Sequence, residues 1–103
     1  MKDLKECLIN EDFKYHKNLH YYDVEYIIAR YTYTDLHGGD VEFLKDVEEI
    51  RDCIEEYWDP EDLEEGEVDN IIDKAKKLKD NECFTHVLLS DDDSFVIIAK
   101  INN

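Results

Sequence analysis

The chain has 103 residues, 43% hydrophobic and 39% charged, with 28 acidic and 12 basic side chains and a net charge of −16. That length and apolar share fit one domain, residues 1–103, that buries a real core, and they argue against a disordered chain. The charge disfavours direct binding to nucleic acid or to an anionic membrane, and no apolar run approaches the ~20 residues of a membrane span.

Taken in chain order, Leu4, Cys7 and Leu8 recur at helical spacing and predict a short first helix over residues 2–9. In the next stretch Phe13 and Tyr15 alternate with polar residues, as in an edge strand or an irregular connector. Residues 24–34, VEYIIARYTYT, are dense in β-branched and aromatic types and predict a strand, with Val24, Tyr26 and Ile28 on one face and Ile27, Ala29, Tyr31 and Tyr33 on the other. Gly38 and Gly39 supply a turn, and Asp40 is placed to cap a helix carrying Phe43, Leu44, Val47, Ile50, Ile54, Tyr57 and Trp58 on its apolar face. Asp59-Pro60-Glu61-Asp62 has the form of a second helix start. A third helix begins near Glu67 and buries Val68, Ile71, Ile72, Ala75 and Leu78, with Lys74, Lys76, Lys77 and Lys79 toward its end. The segments CFTHVLLS and SFVIIAKI flank Asp91-Asp92-Asp93 as a hairpin, and the continuous apolar run from 95 to 99 expects cover on both faces. The fold class is α+β: a small, mainly antiparallel sheet with three to four helices packed on one side, the acidic helical region inserted between strands.

The charge is local. Residues 40–69 hold fifteen acids against Lys45 and Arg51, a net of −13, whereas the remainder has 13 acids and 10 bases. Read as a helix, residues 40–58 carry a net −6, one charge per ~5 Å at 1.5 Å per residue, against ~3.4 Å per phosphate on a DNA strand. Like charges three and four apart cost a few tenths of a kcal/mol per pair, so such a surface is tolerated at some expense in stability. The candidate contact set is Glu42, Asp46, Glu49, Asp52, Glu56, Asp59, Glu61, Asp62, Glu64 and Glu65. A solvated helix face is the bland alternative.

Other constellations are weaker. His16-x3-His20 and Cys83-x2-His86 have zinc-ligand spacing, but so few histidines and cysteines produce such pairs by chance, and no metal or other cofactor is assigned. Three cysteines, Cys7, Cys53 and Cys83, are a poor disulfide framework and read as reduced thiols. Cys53 sits among acids, which raises a thiol pKa and blunts nucleophilic chemistry. No G-x-S-x-G, phosphate-binding glycine loop or H-E-x-x-H is present, so no enzymatic activity is expected. Tyr15, Tyr21, Tyr22, Tyr26, Tyr31 and Tyr33 neighbour Lys14, Lys17 and Arg30, yet residues 1–34 net −1 and read as a half-exposed sheet, not a stacking platform. Tyr57 and Trp58 serve equally as interface anchors or as core.

In size and in the acidic run over residues 40–69 the chain resembles small phage-encoded inhibitors of bacterial defence, the anti-restriction DNA mimics and acidic anti-CRISPR proteins. The resemblance is one of charge profile and carries no motif. It implies a stoichiometric inhibitor whose carboxylates occupy the Lys/Arg surface of a nuclease or CRISPR effector, acting in the host cell cytoplasm. No leader-like h-region contradicts that setting. An immunity protein or antitoxin against a nuclease toxin is the near alternative, and a metal-binding regulatory domain the distant one.

Overall fold

The computed structural model describes residues 2–10, 24–33, 41–90 and 93–101. Among them five strands form one antiparallel sheet: β1 (Lys2–Asp3), β2 (Tyr26–Thr32), β3 (Glu42–Leu44), β4 (Glu82–Val87) and β5 (Ser94–Lys100), in the order β1-β4-β5-β2-β3. Two α-helices, α1 (Val47–Tyr57) and α2 (Glu67–Lys76), lie between β3 and β4 in the chain. The α+β class and the helical insertion between strands stand. Among the described residues, two full helices and two 3-10 turns (Leu4–Glu6 and Pro60–Asp62) stand against the expected three to four helices.

The central strand β5 is apolar without a break because both of its faces are covered. Val96 and Ile98 face α1 and α2, together with Tyr26, Ile28, Ile54 and Ile71. Phe95, Ile97 and Ala99 face the opposite way, beneath Leu4, Cys7 and Ile9 of the N-terminal segment. The helices α1 and α2 thus occupy one side, as expected, and the N-terminal segment, with the 3-10 turn at Leu4–Glu6 and Ile9 and Asn10 in helical conformation, occupies the other. Alternation along β2 sends Tyr26 and Ile28 to the helical face and Ile27, Ala29 and Tyr31 to the other, whereas Val24, expected with Tyr26, lies ahead of the strand's regular alternation and packs with Ile27 and Ala29.

Three helix expectations are corrected. The helix of the acidic run starts at Val47, capped by Asp46, whose side chain accepts the Glu49 N–H at 3.1 Å. Phe43 and Leu44 belong to β3, paired with Ile27 and Tyr26, and bury on opposite faces as adjacent strand residues must. Asp40, the expected cap, and the glycine turn before it lie outside the described residues. Pro60–Asp62 forms one 3-10 turn and no α-helix. Leu63 is the sole apolar side chain between Trp58 and Val68, so a helix there would have no face to bury, and the Asp59 side chain makes no capping bond. The first helix is replaced by β1 and a 3-10 turn that bring Leu4 and Cys7 onto the sheet.

The expectation of three reduced thiols is also corrected: Cys7 and Cys83 form a disulfide across 76 positions of sequence, and Cys53 is free and buried. The expected connector over residues 11–23 and the aspartates at 91 and 92 lie outside the described residues. Among the described residues, no helix is long and apolar enough to cross a membrane.

Candidate functional site

The acidic surface is built on α1. Ile50, Cys53 and Ile54 are buried on its inner side, which turns Glu48, Asp52, Glu55 and Glu56 to solvent. The helix holds five acids and Arg51, a net −4 over about 16 Å, or one charge per ~4 Å, so the density survives the shorter helix. No basic residue occupies its last turn. Arg30 on β2 supplies one from outside: its guanidinium donates to the Tyr57 carbonyl at 3.0 Å and lies 5.4 Å from the Tyr57 ring centroid, where the negative helix end favours a cation.

Between α1 and β3 runs an open groove of about 660 Å³, floored by Phe43, Leu44 and Cys53 and walled by Glu42, Glu49, Asp52 and Glu56. Four of the ten candidate acids therefore share one cleft. Glu42 is half-buried, and its Oε2 accepts from the Cys53 thiol at 2.9 Å and the Tyr57 hydroxyl at 3.2 Å. Burial, the hydrogen bond to Glu42 and the surrounding carboxylates push the Cys53 thiol far above its ordinary range; burial and Glu42 do the same to Tyr57. Cys53 is a protonated donor here, unfit as a nucleophile. Trp58 is buried in the core, and half-buried Tyr57 donates its hydroxyl to Glu42.

Asp46, Asp52, Glu56, Asp59, Glu61, Asp62, Glu64 and Glu65 are exposed, and Glu49 is half-buried. Residues 59–65 continue the acidic surface beyond the end of α1. Arg51 bridges the helices by donating to Asp69 at 2.7 Å, with Glu48 at 3.9 Å. Among the described residues, no ion pair joins Lys74, Lys76, Lys77 or Lys79 to these acids.

Glu67 belongs to the acidic run of residues 40–69, yet it is 1% exposed. Its Oε2 lies 2.7 Å from His86 Nε2 and accepts the Leu89 N–H at 2.9 Å, while Oε1 accepts the Glu64 N–H at 2.9 Å. Burial raises its pKa, but the His86 hydrogen bond and the two backbone donors outweigh burial and hold it below the usual carboxylate value. The Ser90 hydroxyl donates to the Asp62 carbonyl, so the β4–β5 turn and the acidic connector are tied to one another and to the start of α2. Its partners His86 and Leu89 lie 19 and 22 positions away, so no local pattern in the sequence marks Glu67 for this role.

Cys83 and His86 point to opposite faces of β4, Cys83 into the disulfide and His86 onto Glu67, so they do not share a ligand set. His16 and His20 lie outside the described residues. Among the described residues, no three His, Cys, Asp or Glu side chains converge as metal ligands. No family model, curated protein or solved structure matches the chain.

Proposed function

We propose that the protein is a stoichiometric, non-catalytic inhibitor that covers the basic nucleic-acid-binding surface of a nuclease or defence effector, in the manner of an acidic anti-CRISPR protein or DNA mimic. The observation that carries this reading is the exposed acidic surface of α1 and residues 59–65, with a charge about every ~4 Å along the helix and no lysine from residues 74–79 paired to it. Its carboxylates occupy lysine and arginine positions that hold phosphates. Recognition is then steered by long-range attraction and weakened by salt. An immunity protein against a nuclease toxin would use the same surface in the same way, and gene neighbourhood separates the two. The protein itself contacts neither nucleic acid nor membrane in this mechanism, and it works in the cytoplasm of the cell that holds its target.

Competition tests the reading. Proteins from a bacterial lysate are loaded on immobilised duplex DNA and, separately, on immobilised RNA, and the protein is added at low salt. Release of a discrete nucleic-acid-binding protein by wild type, and not by the Glu49→Lys, Glu56→Lys, Glu61→Lys, Glu65→Lys variant, supports it. No release from either support, or equal release by both forms, contradicts it.

A further inference from the structure

The groove between α1 and β3 holds four carboxylates around an apolar floor. Glu49, Asp52 and Glu56 follow one another at steps of three and four along the side of α1 that borders it, and Glu42 closes it from β3. None of the four has a cationic partner among the described residues. Glu42 is the most firmly held. The Cys53 thiol and the Tyr57 hydroxyl, both on α1, donate to its Oε2, and its Oε1 accepts no hydrogen bond among the described residues. A carboxylate already tied to two donors gives up little further freedom when a third arrives. Cys53 stands four positions after Glu49 and three before Glu56, so its 2.9 Å bond to Glu42 sets that carboxylate beside both.

The lining selects a cation with length and an apolar part. The carboxylates border an open space of about 660 Å³ and do not converge as ligands of a metal ion. Phosphate is repelled by all four, and an uncharged ligand would cover them without pairing them. We propose that the groove receives an arginine side chain of the target protein, its aliphatic stem against the floor and its guanidinium between Glu42 and the carboxylates of α1. Stems of this kind bury along apolar surface while the charged head stays among polar groups. Acids three and four apart on a helix stand about 5–6 Å from each other, within reach of one planar guanidinium with its five donors. A lysine ammonium is compact and more strongly hydrated, and meets such groups as a point charge.

The source of the arginine rests on the inhibitor reading, and the groove and the exposed acids then have separate roles. Asp59, Glu61, Asp62, Glu64 and Glu65 are exposed and outside the groove, so ion pairs made there are screened by salt and add little once the complex has formed. Their field speeds encounter. The groove sets how long the complex lasts, because loss of a desolvated, hydrogen-bonded charge pair acts chiefly on dissociation.

The probe is the peptide acetyl-Ala-Arg-Ala-amide, titrated into the isotopically labelled protein and followed by amide NMR shifts, beside the same peptide with citrulline or lysine at its centre. The arginine peptide is expected to move the amides of Glu42, Glu49, Cys53 and Glu56 saturably, the lysine peptide to bind more weakly and the citrulline peptide not to bind. Glu42→Gln, which keeps an acceptor for Cys53 and Tyr57, is expected to weaken the arginine peptide about tenfold or more. Glu49→Gln with Glu56→Gln should weaken it as well, and stays informative if circular dichroism shows that Glu42→Gln disturbs the fold. No saturable shift, shifts centred on residues 59–65, equal affinity for the citrulline or lysine peptide, or an affinity that survives both variants overturns the proposal. The release assay on immobilised nucleic acid separates this site from the wider reading. A Glu42→Gln, Glu49→Gln protein that releases the target as well as wild type overturns the arginine anchor and leaves the inhibitor reading standing. No release by wild type, with the arginine peptide still seated in the groove, overturns the inhibitor reading and upholds the site.

Discussion

Glu67 Oε2 and His86 Nε2 lie 2.7 Å apart in the core, and the same carboxylate holds the backbone of Glu64 and Leu89. One side chain therefore joins the start of α2, the acidic connector and the β4–β5 turn. Removing one partner of a buried, hydrogen-bonded pair costs about 3–5 kcal/mol. Glu67→Ala is expected to lose about 3 kcal/mol or more in urea unfolding, and Glu67→Gln, which keeps the shape, about 1.5–3 kcal/mol.

The sign of the pH dependence follows from the same carboxylate. Its pKa is held below the ordinary 4.5, so its contribution is complete above that value and is lost as pH falls through the lower folded value. The stability gap between wild type and Glu67→Gln should be wide at pH 7 and close below pH 4.5. A gap that stays constant into acid would mean that the charge on Glu67 does not matter to the fold.

Sodium chloride should stabilise the free protein. Glu48, Glu49, Asp52, Glu55 and Glu56 repel one another along α1, and screening shortens to under ~8 Å above physiological salt. The melting temperature is expected to rise between 0.02 and ~0.5 M salt. A flat or falling curve would show that these acids are already compensated.

Reduction should weaken the fold. The Cys7–Cys83 disulfide closes a loop across 76 positions and pins the N-terminal cover to the sheet, so its loss should cost about 2–5 kcal/mol. Unfolding midpoints with and without a reductant measure this, and the Cys7→Ser, Cys83→Ser variant should match the reduced wild type.

Several of these features could be read in the chain beforehand and several could not. The strands at 26–32, 82–87 and 94–100 were legible because β-branched and aromatic residues cluster between polar turns. The helix at 67–76 was legible because Val68, Ile71, Ile72 and Ala75 keep one face. The start of α1 was not, since Phe43 and Leu44 stand at helical distance from Val47 by coincidence while β2 claims them as a strand. Nor could sequence single out one carboxylate, Glu67, for burial among fifteen acids, because its partner His86 lies 19 positions away. The disulfide was hidden for the same reason of range. The location of the acidic surface came directly from composition. Its groove depended on where β3 lies beside α1, which is a tertiary fact.

The most direct measurement is a pull-down from lysate with immobilised wild type and the variant carrying Glu49→Lys, Glu56→Lys, Glu61→Lys and Glu65→Lys, both verified as folded. The account predicts that wild type alone retains a nuclease or other nucleic-acid-binding protein, and that ~0.5 M salt releases it. The same proteins retained by both forms, or none by either, would contradict the acidic surface as the site of function.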